Sequence, residues 1–129
     1  MIYGIGTDIV SISRIAALLA RHGDRAAQKL LASSELAEFA AHRDPSRLLA
    51  KRFAAKEAFA KAAGTGLRDP VGLTNLAVVH NALGQPQFAF AQVLQEWLEV
   101  RQITVSHLSI SDESDQVVAF VVLEGRVCV

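Results

Sequence analysis

The chain has 129 residues, 51% of them hydrophobic, with 13 Lys/Arg balanced by 13 Asp/Glu and a single cysteine, Cys128. That length buries one core without staples, and a lone cysteine excludes a disulfide framework or a cysteine-based zinc site. No leader pattern and no apolar run of membrane-spanning length is visible, so a cytoplasmic, non-membrane protein is expected.

The first segment, "MIYGIGTDIV", is β-branched and apolar with two glycines and predicts a buried strand leading into a turn. "SISRIAALLARHG" switches to helical spacing, with Ile12, Ile15, Leu18 and Leu19 on one face, Ser11 or Ser13 as cap and Gly23 as stop. "SSELAEFAAH" predicts a short helix capped by Ser34. Pro45 after Asp44 opens a long helix to about Ala63, in which Leu48, Leu49, Phe53, Phe59 and several alanines allow close packing. "LTNLAVVHNALGQPQFAF" predicts two short strands around "NALGQP". "AQVLQEWLEVRQ" predicts an amphipathic helix carrying Val93, Leu94, Trp97 and Leu98. "TVSHLSIS" and "QVVAFVVLE" are strands joined by the polar "DESD". The last is apolar on both faces, so it is expected at the centre of a sheet or under an interface. The sum is one α+β domain over residues 1–129: an N-terminal strand, a helical block, and a mainly antiparallel sheet with one more helix.

The neutral total hides an asymmetry. Residues 1–68 carry eleven Lys/Arg against six Asp/Glu, whereas residues 69–129 carry two against seven. A basic half predicts a polyanionic partner. Nucleic acid is disfavoured because the cations lack interleaved exposed aromatics and any known module pattern. The hydrophobic surplus hints at apolar surface buried against another subunit.

Chemistry concentrates at "GIGTD" and "RFAAKEAFAKAAGTGL". Read alone, Asp8 caps a turn and Glu57–Lys61 is a routine i,i+4 helix pair. Together, Asp8 and Glu57 form a carboxylate pair able to hold Mg²⁺, which takes few protein ligands and fills its octahedron with waters and phosphate oxygens. Lys61, one turn beyond Glu57, would touch the same phosphates, with Arg52 and Lys56 nearby. The glycines Gly64 and Gly66 would offer unobstructed backbone N–H groups. His107 lacks a second ligand at zinc spacing and Ser109 lacks a nucleophile elbow, so zinc and triad chemistry are disfavoured. Spacing alone leaves phosphate binding and phosphate transfer both open.

In order along the chain, "GIGTDIV", "RFAAKEAFAKAAGTG", "LGQP" and "SHLSISD" resemble the motifs of the 4′-phosphopantetheinyl transferase family, in its small bacterial holo-acyl-carrier-protein synthase branch. The resemblance implies an α+β, trimer-forming fold with active sites at subunit interfaces of a homotrimer. It implies Mg²⁺-dependent transfer of the 4′-phosphopantetheine arm of coenzyme A to a serine of apo-acyl carrier protein, releasing adenosine 3′,5′-bisphosphate. Asp8 and Glu57 become the metal ligands and Lys61 a phosphate-facing catalytic residue. Arg52, Lys61, Gly64, Gly66, Gly84, Pro86 and His107 become coenzyme A contacts. Arg14 and Arg21, with Arg25 behind them, become contacts to the acidic carrier protein. One departure stands out: many relatives carry an acid where this chain has Ser11, which bears on metal affinity if that acid acts through the ligands. The competing expectation is a non-catalytic coenzyme A or nucleotide-binding module, which would not need Asp8.

Overall fold

The computed structural model describes residues 1–126. Strand β1 (Ile2–Ser11) runs into α1 (Ile12–His22), followed by α2 (Asp24–Leu30), a 3₁₀ turn at Ser33–Glu35, α3 (Leu36–Ala41) and α4 (Pro45–Ala63). A second 3₁₀ turn at Leu73–Asn75 leads to β2 (Leu76–His80) and β3 (Pro86–Phe90), then α5 (Gln92–Val100), β4 (Ile103–Glu113) and β5 (Gln116–Gly125). All pairings are antiparallel, and they fall into two sheets: a three-stranded sheet in the order β1-β5-β4 and the β2-β3 hairpin. The expected α+β class holds, and β5 occupies the expected central position. Cys128 lies outside the described residues, and among those described no helix is long and apolar enough to cross a membrane.

Helix α4 organises the core. Asp44 accepts a hydrogen bond from the Arg47 amide, Pro45 takes the first turn, and Gly64, at φ 84°, closes the far end, as the sequence predicts. Between them, Ala54, Ala55, Ala58, Phe59 and Ala60 are fully buried. The helix packs on β1 and on the inner face of β5, where Val117, Ala119, Val121 and Leu123 are also fully buried. Phe59 meets Phe88 and Phe90 of the hairpin at centroid distances of 5.1 and 5.5 Å, which ties the second sheet to the same core.

The glycines of "GIGT" serve this packing rather than a turn or a ligand. A Cβ on Gly4 would lie 2.0 Å from the Ala62 carbonyl oxygen, and one on Gly6 would lie 1.9 Å from that of Ala58. Strand and helix backbones therefore touch directly. Strand β1 also continues past Asp8 to Ser11, so Asp8 stands within the strand rather than at its end. Nor is β1 buried on both faces: Ile5 is 59% and Ile9 60% exposed on the outer side.

The helical block differs in two places. The sequence gives no separate sign of α2, yet Gly23 (φ 56°) both stops α1 and starts α2, burying Ala26, Ala27 and Leu30 within seven residues. Ser34 caps nothing; instead Glu35 Oε1 accepts from the Ala32 amide at 2.9 Å. In α5, Leu94 and Leu98 are buried as expected, while Val93 is exposed and Trp97 lies under the Arg101 guanidinium.

Lys56 and Arg52, expected near phosphate, belong instead to a buried charge network. Lys56 is 0% exposed; its ammonium donates to the carbonyls of Leu30 and Leu73, both at 2.9 Å, and to Glu35 Oε1 at 2.5 Å. Glu35 Oε2 accepts from the Val78 amide at 3.0 Å and lies 3.4 Å from Arg52 Nε, while Arg52 Nη2 donates to Glu38. Burial lowers the Lys56 pKa, opposed by the Glu35 charge. The network pins α2, the 3₁₀ turns, α3 and β2 onto α4.

In the first turn of α4, Arg47 anchors the tip of the β4–β5 hairpin, donating to Asp112 Oδ2 at 2.6 Å and to the Ser114 carbonyl at 3.0 Å. Lys51 lies 3.3 Å from Asp112 Oδ1. The Arg47 hydrogen bond, aided by Lys51 and opposed by burial, holds the Asp112 carboxyl below its ordinary value. A depressed carboxylate contributes stability that is complete above its unfolded pKa, near 3.9, and lost as pH falls through the folded value. We expect thermal stability to keep this contribution down to about pH 4 and to lose it below, with Asp112→Asn flattening that acid limb. Melting curves over that range decide; an unchanged acid limb in the variant refutes the anchor.

Candidate active site

Asp8 lies on the inner face of β1, two residues on from Gly6, and therefore faces α4. Glu57 and Lys61 stand one turn apart on that helix. Asp8 and Glu57 line a single cavity of about 310 Å³, together with Arg14, Ile15 and Leu18 of α1 and Phe53 of α4. The Lys61 ammonium donates to the Thr7 carbonyl at 2.9 Å and to Asp8 Oδ1 at 3.1 Å. The resting partner of Lys61 is thus Asp8, across the helix–strand seam, and not Glu57; among the described ion pairs no Glu57–Lys61 bridge occurs. The lysine side chain is 53% exposed against 16% for the aspartate, so it reaches its partner from the solvent side.

Electrostatics set the two carboxylates apart. Burial pushes the Glu57 carboxyl above its usual range, the negative charge of Asp8 adds to this, and Lys61 opposes both. A hard divalent cation accepting oxygens from both side chains would relieve that repulsion, and the donor set, two carboxylates, suits Mg²⁺. Among the described residues no group of three or more His, Cys, Asp or Glu side chains could hold a metal.

Leu18 and Leu30 are shared with an adjoining groove of about 340 Å³, rimmed by His22, Arg25 and Lys29. Of the cations expected to meet a carrier, Arg14 lines the carboxylate cavity and Arg25 the neighbouring groove, while Arg21 is exposed on α1 and lines neither.

The expected coenzyme A contacts do not converge within one chain. Gly64 and Gly66 take positive φ at the exit of α4 with open space beside them. Their N–H groups, however, bond back to the Ala60 and Lys61 carbonyls, so they give room rather than free donors. Arg52 is engaged by Glu35 and Glu38. Gly84 (φ 83°) shapes the β2–β3 turn, and Pro86 and His107 line a separate polar groove of about 320 Å³ with Gln85, Gln87, Ser106 and Ser109. There His107 Nε2 lies 2.7 Å from Glu124 Oε2, a contact that holds the Glu124 carboxyl below its usual range. Glu124 escaped the sequence reading, although a two-residue turn in "DESD" sets a register in which it is a diagonal neighbour of His107.

The model of the 4′-phosphopantetheinyl transferase superfamily matches residues 4–121. A holo-[acyl-carrier-protein] synthase of Laribacter hongkongensis is 58% identical over 125 residues, covering 97% of this chain and 100% of that protein. The crystal structure of holo-[acyl-carrier-protein] synthase from Neisseria meningitidis superposes with a TM-score of 0.94 at 52% identity, covering 96% of this chain and 99% of that one. The synthase of Bacillus anthracis, solved in complex with CoA (3′,5′-ADP), gives a TM-score of 0.82 at 32% identity, covering 98% and 99%. With matched residues spanning both Asp8 and Glu57 and the fold shared end to end, this chain belongs to the 4′-phosphopantetheinyl transferase superfamily.

Proposed function

We propose that residues 1–129 act as one cytoplasmic catalytic domain of fatty acid biosynthesis that transfers the 4′-phosphopantetheine arm of coenzyme A to a serine hydroxyl of apo-acyl carrier protein, releasing adenosine 3′,5′-bisphosphate. The observation that carries this reading is the shared cavity of Asp8 and Glu57, flanked by Lys61 and Arg14, in a chain of this superfamily. Asp8 and Glu57 would hold Mg²⁺, whose chemistry is to neutralise charge on phosphate oxygens and on the departing phosphate. Lys61 keeps its ammonium on Asp8 from the solvent side, from which it would turn to an incoming phosphate. Arg14 and the basic rim formed by Arg25 and Lys29 present positive charge to an acidic carrier.

The same chain supports a homotrimeric arrangement with sites at subunit interfaces. The groove lined by Pro86 and His107 shares no lining residue with the carboxylate cavity, so the two groups would meet across a subunit boundary. The outer face of the three-stranded sheet, with Ile5, Ile9, Val118 and Phe120 all exposed, is apolar enough to be covered.

The test is direct. Purified protein incubated with coenzyme A, Mg²⁺ and apo-carrier should raise the carrier mass by one phosphopantetheine, and EDTA should abolish the shift. No mass gain with any of several acyl carrier proteins overturns the proposal.

A further inference from the structure

The start of α1 is held from outside the helix. Of its first amides, that of Ile12 donates to the Asp115 backbone carbonyl at 2.7 Å, and that of Ser13 donates to Asp115 Oδ1 at 2.9 Å. Asp115 Oδ2 accepts from the hydroxyls of Ser11 at 2.9 Å and Ser13 at 2.8 Å. The Arg14 amide reaches the Ser11 hydroxyl at 3.4 Å. A helix begins with unsatisfied N–H groups that a local cap normally meets. Here a distant residue, at the tip of the β4–β5 hairpin, supplies most of that cap.

The same tip holds α4 through Arg47, which bonds both Asp112 and the Ser114 carbonyl. Helices α1 and α4 form opposite walls of the carboxylate cavity, the first with Arg14, Ile15 and Leu18, the second with Phe53 and Glu57. One short turn therefore sets the spacing of the two walls without contributing any side chain to the cavity.

We propose that Asp115 is a positioning residue: by fixing the first turn of α1 it sets where Arg14 stands relative to Glu57, and so controls engagement of the carrier protein rather than of coenzyme A. The inference rests on the transferase reading for its substrate assignment. Its anchor stands on the hydrogen bonds alone. Arg14 lies one residue beyond the Ser13 amide that Asp115 holds, so freeing that amide lets the arginine wander while α4 and the carboxylate pair stay in place.

The experiment compares the unaltered protein with Asp115→Ala and Asp115→Asn by steady-state kinetics in each substrate and by amide hydrogen exchange. Asp115→Ala should raise the KM for apo-carrier about fivefold or more, with kcat and the KM for coenzyme A within about twofold of the original. Exchange at the Ser13 amide should rise about tenfold or more, while amides around Glu57 keep their protection. Asp115→Asn retains an oxygen acceptor for the Ser13 amide and should recover most of the carrier affinity; it also decides the case if the alanine variant fails to fold. Equal changes in both KM values, an unchanged carrier KM, or unchanged exchange at Ser13 overturns the proposal. Absence of transfer by the unaltered protein overturns the functional reading instead, because exchange at Ser13 tests the anchor without any substrate.

Discussion

Lys56→Ala should cost about 3–5 kcal/mol of folding stability, a large share of the roughly 5–15 kcal/mol typical of a domain this size. Truncation leaves Glu35 buried at 6% exposure without its ammonium partner and leaves the Leu30 and Leu73 carbonyls with one fewer donor. Lys56→Met fills the space but not the bonding, so it should remain severely destabilised. Pairing Lys56→Met with Glu35→Gln should recover part of the loss, because the buried Glu35 charge, left with Arg52 as its only cation, is then gone. Denaturant midpoints for the three variants measure this. A loss below about 1 kcal/mol for Lys56→Ala would show that water or another group replaces the ammonium.

Glu57→Gln and Asp8→Asn should each lower kcat/KM by about 10²–10³-fold or more, since each removes one of the two carboxylates facing the same cavity. The stability effect of Glu57→Gln should have the opposite sign. A carboxyl whose folded pKa is raised disfavours the folded state once it ionises, so in metal-free buffer at neutral pH the neutral amide should melt no lower than the original and slightly higher. Added Mg²⁺ should then raise the melting temperature of the unaltered protein and leave that of Glu57→Gln unmoved. A metal-dependent shift that survives Glu57→Gln would remove Glu57 from the ligand set.

Much of this molecule was legible from its sequence, and the parts that were not share a physical cause. The stop of α1, the caps of α4, the β2–β3 hairpin and the central place of β5 all follow from local signals: Gly23, Asp44–Pro45, the "NALGQP" turn, and an unbroken apolar run. Charges on α4 were harder to place. Arg52 and Lys56 look like a solvated face until α2 and α3 fold over them, although alanines on nearly every side of the helix signalled full burial. The partners that decide how the charged groups are used come from far along the chain: Glu35 for Lys56, Asp8 for Lys61, Glu124 for His107 and Asp115 for Ser13. The Ser11 hydroxyl likewise finds its partners in Ser13 and the distant Asp115.

The two glycines of β1 determine what kind of variation the carboxylate pair can tolerate. Because the strand that carries Asp8 rests on the main chain of the helix that carries Glu57, the gap between those elements is fixed by peptide atoms in contact rather than by the sizes of intervening side chains. Exchanging Phe59, Val121 or Leu94 for other apolar residues would loosen or strain the core, yet would leave that spacer unaltered. The spacing of Asp8 and Glu57 is in this sense a property of the backbone, insulated from drift in the packing around it, and it changes only when a side chain is put where β1 has none.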